Sequence, residues 1–323
     1  MKKHIIVLCL LMTAVYFGVD AQSRVTFRQA FQTPHVINPA FSGINPYWSV
    51  HANYGQVGVG DGLTNSTFQV AANLSFSSAE GWKRRSGRTD RQAFMKRHGL
   101  SLSLGQQRFG EIVRTMPQLS YGVHIPLSRK MMLAAGAGGL YFTERVDVQQ
   151  LYVRDPQDPD YIEFLNNDGK RKEYGLRVGV ALYASNYYVG YALSRRLVAT
   201  GYELQRERDL DEHIISAGYR QALNEDFQWL SSTVLRIDDE ADFQPSFSSQ
   251  IQYRRTFRAG LLYSHDEALT FLTGLTYKDK YRIDMTLSRP MKTEYNFTQN
   301  KSMVEVALSI FFKRRSGQQR HFW

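Results

Sequence analysis

Residues 303–312 read Met-Val-Glu-Val-Ala-Leu-Ser-Ile-Phe-Phe, and this stretch decides the fold class. Its large apolar residues alternate with Glu305, Ala307 and Ser309. Because side chains on a β-strand point to opposite faces in turn, a period of two residues places the apolar groups on one face. The stretch is therefore predicted to be a strand with one apolar face and one polar face.

The same alternation recurs from end to end of the chain, and no internal stretch holds a helical period. Together with 303–312 it gives fourteen candidate strands, most of them about 8 to 11 residues long. A strand that crosses a bilayer needs about 9–11 residues. The other candidates lie near residues 48–55, 68–76, 100–105, 119–125, 131–142, 176–182, 187–194, 212–220, 227–237, 246–253, 257–264, 268–277 and 281–288.

These strands favour an all-β fold, an outer-membrane antiparallel β-barrel of about fourteen strands. The 323-residue chain is 43% hydrophobic, 22% charged and 13% aromatic. No run after the N-terminus stays apolar for about 18 residues, which excludes a helical membrane protein. A barrel keeps a low mean hydropathy because half of each strand faces its interior. A secreted β-sandwich or jelly roll shows the same local alternation and is the alternative fold.

The N-terminus is predicted to be a cleavable signal peptide covering residues 1–21. Lys2 and Lys3 precede an apolar run at 5–17, and Val19-Asp20-Ala21 is typical of a cleavage site. A single anchoring helix is the alternative. The only cysteine, Cys9, lies in this segment. The mature chain is therefore expected to lack cysteine, which excludes thiol catalysis, cysteine-based zinc sites and iron–sulfur sites.

Three further segments follow the signal peptide. Residues 22–46 form a lead-in on the predicted periplasmic side, 47–312 the barrel, and 313–323 a basic tail. Periplasmic turns are predicted to be short, and outer loops longer, for example at 108–115. Aromatic residues near strand ends are expected to form belts at the membrane interfaces. They include Trp48, Tyr54, Phe76, Tyr141, Trp229, Tyr253, Tyr263, Tyr277 and Tyr281.

The two sides of the membrane are predicted to carry different net charges. The formal net charge is +10, and the excess of Lys and Arg falls on the predicted periplasmic segments, whereas the outer loops are net acidic. The connection at 77–97 is unusually long for its side and strongly basic. We interpret it as a docking surface for an acidic periplasmic partner, with a merely solvated charge run as the alternative. Nucleic acid is excluded as a partner, because the chain is exported and aromatics do not interleave with the basic residues.

The lead-in contains a motif that carries a family resemblance, Asn38-Pro39-Ala40-Phe41-Ser42-Gly43. Asn-Pro starts a turn, and Gly43 permits a sharp backbone bend. The motif and the final strand resemble the PorP/SprF family of Bacteroidetes outer-membrane proteins. The final strand keeps the family's Glu, second Leu and final Phe, lacks its His and Tyr, and is followed by a tail.

The resemblance implies a non-enzymatic barrel subunit of the type IX secretion and gliding machinery. Such proteins contact other machine proteins and aid the export or surface retention of cargo adhesins. We therefore take two groups of residues as candidate partner-binding sites. They are Asn38, Pro39, Ala40, Phe41 and Gly43 in the motif, and Lys83, Arg84, Arg85, Arg88 and Arg91 in the basic connection.

Other chemistry is weakly indicated, and no cofactor, metal site or catalytic residue is predicted. Arg177, Arg236, Arg258 and Arg282 share the polar face with Asp284 and Glu305, which predicts interior ion pairs or an arginine-lined pore. Acidic clusters at 155–160 and 238–242 are interpreted as solvated loops, with divalent bridging to lipopolysaccharide as the alternative hypothesis. The lipid bilayer and lipopolysaccharide are the expected surroundings of the barrel. A lumen set of Ser49, His51, Ser101, Ser103 and His124 is interpreted as lining rather than catalytic. The alternative function is a general porin or nutrient channel, and a barrel enzyme is a third.

Overall fold

The computed structural model describes residues 31–58, 64–77, 96–128, 130–146, 157, 162, 169–199, 210–238, 243–264, 268–290 and 302–312. Fourteen strands occupy most of these ranges. In chain order they are β1 (Trp48–Gly58), β2 (Thr64–Ser77), β3 (Arg97–Phe109), β4 (Ile112–Pro126), β5 (Met131–Val146), β6 (Lys170–Ala184), β7 (Tyr187–Ala199), β8 (Leu210–Ala222), β9 (Phe227–Asp238), β10 (Phe243–Tyr253), β11 (Phe257–Ser264), β12 (Ala268–Tyr277), β13 (Tyr281–Pro290) and β14 (Met303–Phe312).

The strands close into a single barrel. Each pairs antiparallel with the next along the chain, and β1 also pairs with β14. The closing register places Trp48 opposite Phe312 and Gly55 opposite Glu305. Closure leaves no sheet edge in hydrocarbon, where no water could satisfy unpaired backbone groups. The predicted fourteen-stranded antiparallel barrel is confirmed, and the β-sandwich alternative is wrong.

The connections agree with the predicted asymmetry except at one hairpin. At the end where β1 begins, short turns join β4 to β5, β6 to β7, β8 to β9, β10 to β11 and β12 to β13. This end is therefore the periplasmic one. The predicted outer loop at 108–115 is wrong, because β3 continues to Phe109 and β4 begins at Ile112. Gly110 has φ of 55°, so two residues suffice to reverse the chain.

The two faces of the barrel differ as the alternation predicted. Large apolar side chains point outward, and Leu176 is 68% exposed. Polar residues such as Ser101, Gln69 and Thr270 point into the lumen and are buried. A lipid-facing exterior and a polar interior are the pattern of a membrane barrel. The exposed apolar surface includes Leu102, Leu119, Val178, Leu261, Phe271, Ile283, Leu287 and Leu308.

The described part of the lead-in lies inside the barrel. It forms a one-turn helix, α1 (Pro34–Ile37), followed by a 3₁₀ turn (Pro39–Phe41). Phe41 and Ile44 belong to one apolar cluster with lumen-facing Met132 and Tyr183. The expectation of a periplasmic lead-in therefore needs correction for these residues, which we call the lumen segment (residues 33–44). No helix in the described ranges is long and apolar enough to cross a membrane.

Candidate functional site

The lumen segment is shaped by its own sequence. Pro34 occupies the first turn of α1, where a missing N–H costs nothing. Asn38 is the N-cap of the 3₁₀ turn, and its Oδ1 accepts a hydrogen bond from the backbone N–H of Ala40 at 2.9 Å. Gly43 has φ of +74°, a left-handed conformation that favours glycine. Helix, turn and bend together fold the segment into a compact plug.

A strip of glycines on the barrel wall receives this plug. Gly99, Gly122, Gly136 and Gly179 stand directly opposite one another on β3, β4, β5 and β6. Gly190 on β7 faces Ala181 and extends the strip by one diagonal step. We call these five residues the glycine strip. Glycine inside a strand often marks a place where another backbone approaches closely.

The approach along the glycine strip leaves no room for side chains. A Cβ atom on Gly99 would lie 2.0 Å from the carbonyl oxygen of Ser42. On Gly136 it would lie 2.4 Å from the carbonyl carbon of Pro39, and on Gly179 2.1 Å from Asn38 Oδ1. Carbon atoms in favourable contact are about 3.5–4.0 Å apart. The strip and the motif are therefore complementary in shape at the level of single atoms.

Asn38 anchors the middle of the lumen segment. Its Nδ2 donates to the carbonyl oxygens of Val180 at 3.3 Å and Tyr191 at 3.2 Å, on β6 and β7. The side chain is fully buried, and its Oδ1 is already bonded within the 3₁₀ turn. Only an amide supplies one acceptor and two donors in this geometry. The position therefore explains why asparagine opens the motif.

The end of the motif is held by a chain of hydrogen bonds. Nε2 of His124 donates to the carbonyl oxygen of Ser42 at 2.6 Å, and the hydroxyl of Tyr183 donates to Nδ1 at 2.8 Å. Arg97 donates in turn to the Tyr183 oxygen at 2.9 Å. Because a carbonyl only accepts, the proton of the neutral imidazole must be on Nε2. The chain thus fixes the tautomer that binds the plug.

Two further contacts secure the same end, and aromatic packing fills the space beside it. The hydroxyls of Ser42 and Ser101 are 2.9 Å apart, and the backbone N–H of Gly43 donates to Asn73 Oδ1 at 2.7 Å. The ring of Phe41 meets that of Tyr188 edge-on, with centroids 5.4 Å apart. Polar and apolar contacts therefore both favour the seated plug.

Ion pairs line other parts of the lumen. Arg258 and Asp284, on β11 and β13, are paired with Nε to Oδ1 at 2.7 Å, and Asp284 is 0% exposed. Arg177 lies between Glu212 (3.7 Å) and the carbonyl oxygen of Val36, to which it donates at 2.6 Å. The structure therefore has interior ion pairs, as predicted, in place of an arginine-lined pore. Arg177 also links them to the plug.

Lumen-facing side chains are shielded from solvent around most of the barrel. In a water-filled pore such side chains would be wet. Here buried polar residues occur on every strand except β5, where Met132 and Ala134 are buried instead. The most enclosed include Ser49, Asn73, Ser101, Ser120, His124, Ser194, Thr270, Asp284, Ser288, Glu305 and Ser309. The lumen-facing side chains of the described residues are therefore largely shielded from solvent.

His35, in α1, is the titratable group of the plug itself. It is buried, and its ring centroid lies 6.1 Å from that of His51 on β1. Within the described residues, its Nε2 has no hydrogen-bond partner. Burial lowers the pKa of His35 from 6.5 to about 4. The residue is thus neutral in the seated plug at neutral pH.

Acidification is expected to loosen the plug. A released His35 in water has a pKa near 6.5, so the released state takes up the proton between about pH 6.5 and pH 4. Seating is therefore strongest above pH 6.5 and loses about 2 kcal/mol by pH 5, or roughly a 30-fold rise in the released fraction. The measurement is maleimide labelling of a Ser42→Cys variant at both pH values, normalised to Ser128→Cys in an exposed turn.

His35→Gln is the control for this pH dependence. His51 and His124 are present in both proteins, so the comparison reports the loss of His35. The variant should show a much smaller change in normalised labelling rate between pH 7 and pH 5 than the parent. An unchanged pH dependence in His35→Gln would contradict the assignment.

The structure places the predicted site residues in two different situations. Asn38, Pro39, Ala40, Phe41 and Gly43 come together in the lumen and bind the protein's own wall. A partner could contact them only by entering the lumen or by drawing the segment out. Partner binding by the motif stays a prediction. The basic candidates Lys83, Arg84, Arg85, Arg88 and Arg91 lie outside the described residues.

The serine and histidine set lines the lumen, as interpreted from the sequence. Nδ1 of His51 is 2.8 Å from Ser309 Oγ, and its Nε2 is 3.1 Å from Ser49 Oγ. His124 instead binds the plug. Among the described residues, no group of three His, Cys, Asp or Glu side chains is placed to hold a metal ion. The acidic cluster at 155–160 lies almost wholly outside the described ranges, and most of 238–242 does as well.

Comparison with protein families identifies the chain. Residues 19–310 match the family described as type IX secretion system membrane protein PorP/SprF. The chain belongs to this family. It is accordingly an outer-membrane β-barrel of the type IX secretion system, and its class is that of secretion-system membrane proteins rather than a known class of enzymes. No curated protein matches the chain significantly in sequence.

Solved outer-membrane barrels share the overall architecture. The Pseudomonas putida toluene transporter TodX is 10% identical, with a TM-score of 0.44 over 91% of this chain and 95% of that chain. Acinetobacter baumannii Omp33, an outer-membrane protein, is 9% identical, with a TM-score of 0.47 over 84% of this chain and 100% of that chain. At these identities the likeness concerns the fold alone.

Proposed function

We propose that this PorP/SprF protein is a plugged, non-enzymatic barrel subunit that docks partners in the type IX secretion and gliding machinery and helps to export or retain surface adhesins. The observation that carries the proposal is the filled lumen. Ala40 in the plug is 0% exposed, as is Asp284 on β13. A barrel whose interior is occupied by its own segment and ion pairs serves assembly better than permeation.

The basic connection at 77–97 is the proposed docking surface. It leaves the barrel between β2 and β3 on the periplasmic side, and it carries six Lys and Arg residues within 83–96. Arg97, the next residue, points into the lumen and is not part of this surface. A cluster of one charge sign attracts a partner of the opposite sign and makes binding dependent on salt. We therefore infer an acidic periplasmic machine protein as the partner of this segment.

Affinity purification from native membranes in mild detergent tests the docking role. The variant reverses charge at Lys83, Arg84, Arg85, Arg88 and Arg91 to Glu. Machine proteins or an adhesin should co-purify with the wild type and be lost from the variant and at high salt. A Lys170→Glu, Lys172→Glu variant, altered at the opposite end of the barrel, is the matched control. Equal recovery from the reversed variant and the wild type would overturn this docking surface.

Planar bilayer conductance separates the proposal from the channel alternative. The purified barrel should show no steady open-pore current, because its lumen is filled. A steady current of porin size in every preparation would support a general porin or nutrient channel and would overturn the plugged-subunit proposal.

A further inference from the structure

Two neighbouring turns at the periplasmic end have an unusual backbone. Arg254 and Arg255 join β10 to β11 with φ of 46° and 57°, and Lys278 and Asp279 join β12 to β13 with φ of 51° and 53°. In each, a backbone N–H closes the turn onto a carbonyl three residues earlier, from Thr256 to Tyr253 and from Lys280 to Tyr277. Turns with two consecutive left-handed residues normally use Asn-Gly or Asp-Gly.

Most of the residues in these turns are of types that rarely adopt a left-handed backbone conformation. A side chain other than Gly, Asn or Asp in the left-handed region costs about 1 to 2 kcal/mol. Arg254, Arg255 and Lys278 bear that cost, and their side chains are exposed, so no burial in the protein core offsets it. Strain of this kind collects where a side chain is kept for its function.

Three cations of these turns make cation–π contacts with tyrosines of the membrane-facing aromatic belt. Lys278 Nζ lies 5.0 Å from the ring centroid of Tyr277, and Lys280 Nζ lies 5.1 Å from that of Tyr281. Arg254 lies over Tyr253 at 5.2 Å. Tyr277 is 58% exposed on the outer surface. The charges are therefore held beside the barrel wall at the level of the aromatic belt, which is the depth of lipid headgroups.

The belt beneath these cations consists of two aromatic groups, one on β9 to β11 and one on β12 and β13, with Leu275 paired to Phe257 between them. Phe227 pairs with Tyr253, Tyr253 with Phe257, and Tyr277 with Tyr281 across neighbouring strands. The rings of Phe227 and Tyr253 are 4.9 Å apart. Aromatic belts of this kind lie between the acyl chains and the headgroups. A lipid lying against the belt would place its phosphate beside the cations.

Most of this charge is free for a ligand. Arg254 is paired with Asp226, through Nε at 2.8 Å and Nη2 at 3.3 Å. Arg255, Lys278 and Lys280 form no ion pair with a residue in the described ranges. Lys278 and Lys280 lie over rings of the belt, and Arg255 stands in the neighbouring turn. With Asp279 counted, these residues carry a net charge of +2, which suits one or two phosphate groups.

We propose that the β10–β11 and β12–β13 turns form a binding site for the phosphate headgroups of anionic phospholipids in the periplasmic leaflet. The aromatic belt takes the glycerol and upper acyl chains, and Arg255, Lys278 and Lys280 take the phosphate. The inference is independent of the docking role at 77–97. An acidic protein is the weaker fit, because the cations lie against the membrane-facing wall.

Thermal unfolding of the purified barrel in mild detergent tests the site, with lipids added at equal concentration. Phosphatidylglycerol should raise the wild-type Tm by several degrees, and phosphatidylcholine should not. The Arg255→Gln, Lys278→Gln, Lys280→Gln variant should lose more than half of that shift. Lys170→Gln, Lys172→Gln, which removes two exposed cations at the other end of the barrel, should keep it. An unchanged shift in the triple variant would overturn the proposal.

Two further additives in the same unfolding assay show whether the turns bind a lipid headgroup, a free anion or an acidic protein. Inorganic phosphate and poly-glutamate at matched charge should each give less than half of the phosphatidylglycerol shift. An equal shift with phosphate would assign the turns to a free anion. An equal shift with poly-glutamate would assign them to an acidic protein. Either result would overturn the lipid assignment.

A second variant separates loss of the site from loss of folding. Lys278→Asn combined with Asp279→Gly supplies the residues that the turn geometry prefers. This protein should unfold at a higher temperature than the wild type without lipid, yet gain less from phosphatidylglycerol. A higher unfolding temperature without lipid, together with a smaller lipid shift, would support a strained turn that is kept because Lys278 binds lipid. A full lipid shift in this variant would overturn the proposal.

Discussion

Gly136→Ala is expected to expel the lumen segment from the barrel. The added Cβ would lie 2.4 Å from both the carbonyl carbon and oxygen of Pro39, and 2.6 Å from the nitrogen of Ala40. These are backbone atoms, so no side-chain rotation relieves the clash. The segment cannot slide aside either, because Asn38 and Ser42 fasten it on both sides of the contact. Overpacking of this kind costs roughly 1–3 kcal/mol, and this site belongs at the upper end.

Labelling of a cysteine in the plug measures the expulsion. In a Ser42→Cys background, the thiol is buried while the plug is seated. A loss of about 3 kcal/mol raises its maleimide labelling rate by about 100-fold. The sole natural cysteine, Cys9, lies in the predicted signal peptide, so no other thiol is expected to interfere.

Gly139→Ala is a closely matched control for this experiment. Gly139 lies on the same strand, three residues away, and its added Cβ would have no atom within 4 Å. The substitution changes the glycine content and the strand propensity in the same way. Its labelling rate should equal that of the parent. Equal rates for Gly136→Ala and Gly139→Ala would contradict the close contact at the glycine strip.

Asn38→Asp is expected to release the plug because it removes hydrogen-bond donors, although it leaves the size of the side chain almost unchanged. The two side chains have the same size, but a carboxylate has no N–H group to donate. The carbonyl oxygens of Val180 and Tyr191 would face a negative oxygen at about 3.2 Å, where they now accept hydrogen bonds. Removing one buried donor costs about 1–3 kcal/mol, and an unpaired buried charge costs more.

The same thiol assay reports the effect of Asn38→Asp. Relative to the Ser42→Cys parent at the same pH, labelling should accelerate by 100-fold or more at pH 7 and by less at pH 4, where the acid gains a proton that it can donate. Asn186→Asp, in the exposed turn between β6 and β7, controls for the added charge and should change nothing. Labelling of Asn38→Asp at the parent rate would show that the two carbonyl contacts do not hold the plug.

The fourteen strands were predictable because their signal is local. A period of two residues needs only the neighbouring sequence, so strands such as 268–277 are found with their ends nearly correct. The hairpin at Gly110 was missed because apolar and polar residues do not alternate regularly over 108–115, which suggested a loop. Pairing of Arg108 with Val113 and Phe109 with Ile112 continues the strands there. Such pairing is decided by the partner strand and cannot be read from either strand alone.

The position of the lead-in was not predictable from its own residues. Turn chemistry at Asn38 and Gly43 predicts a bend but not what the bend packs against. His124, Tyr183 and Arg97 hold the plug together, although they are far apart in sequence and meet only when the barrel closes. One usable signal was present. Gly99, Gly122, Gly136, Gly179 and Gly190 each lie inside a strand, and glycine inside a strand indicates close backbone approach.

The family assignment and the structure bear on different parts of the function. Membership in the PorP/SprF family places the protein in type IX secretion. The seated plug occupies part of the lumen, and the proposed role as a plugged subunit rests on it. The basic connection at 77–97 and the basic turns at Arg254–Arg255 and Lys278–Lys280 are separate surfaces. The first is proposed to bind protein and the second lipid.

Disulfide trapping tests the seated plug most directly. The hydroxyls of Ser42 and Ser101 are 2.9 Å apart, so Ser42→Cys with Ser101→Cys should cross-link nearly completely in native outer membranes under a mild oxidant. Ser248→Cys, on β10 across the barrel from β3, should not cross-link with Ser42→Cys. Trapping of the first pair alone is the predicted result. Free, rapidly labelled thiols at both positions of the first pair would show that the segment does not occupy the lumen.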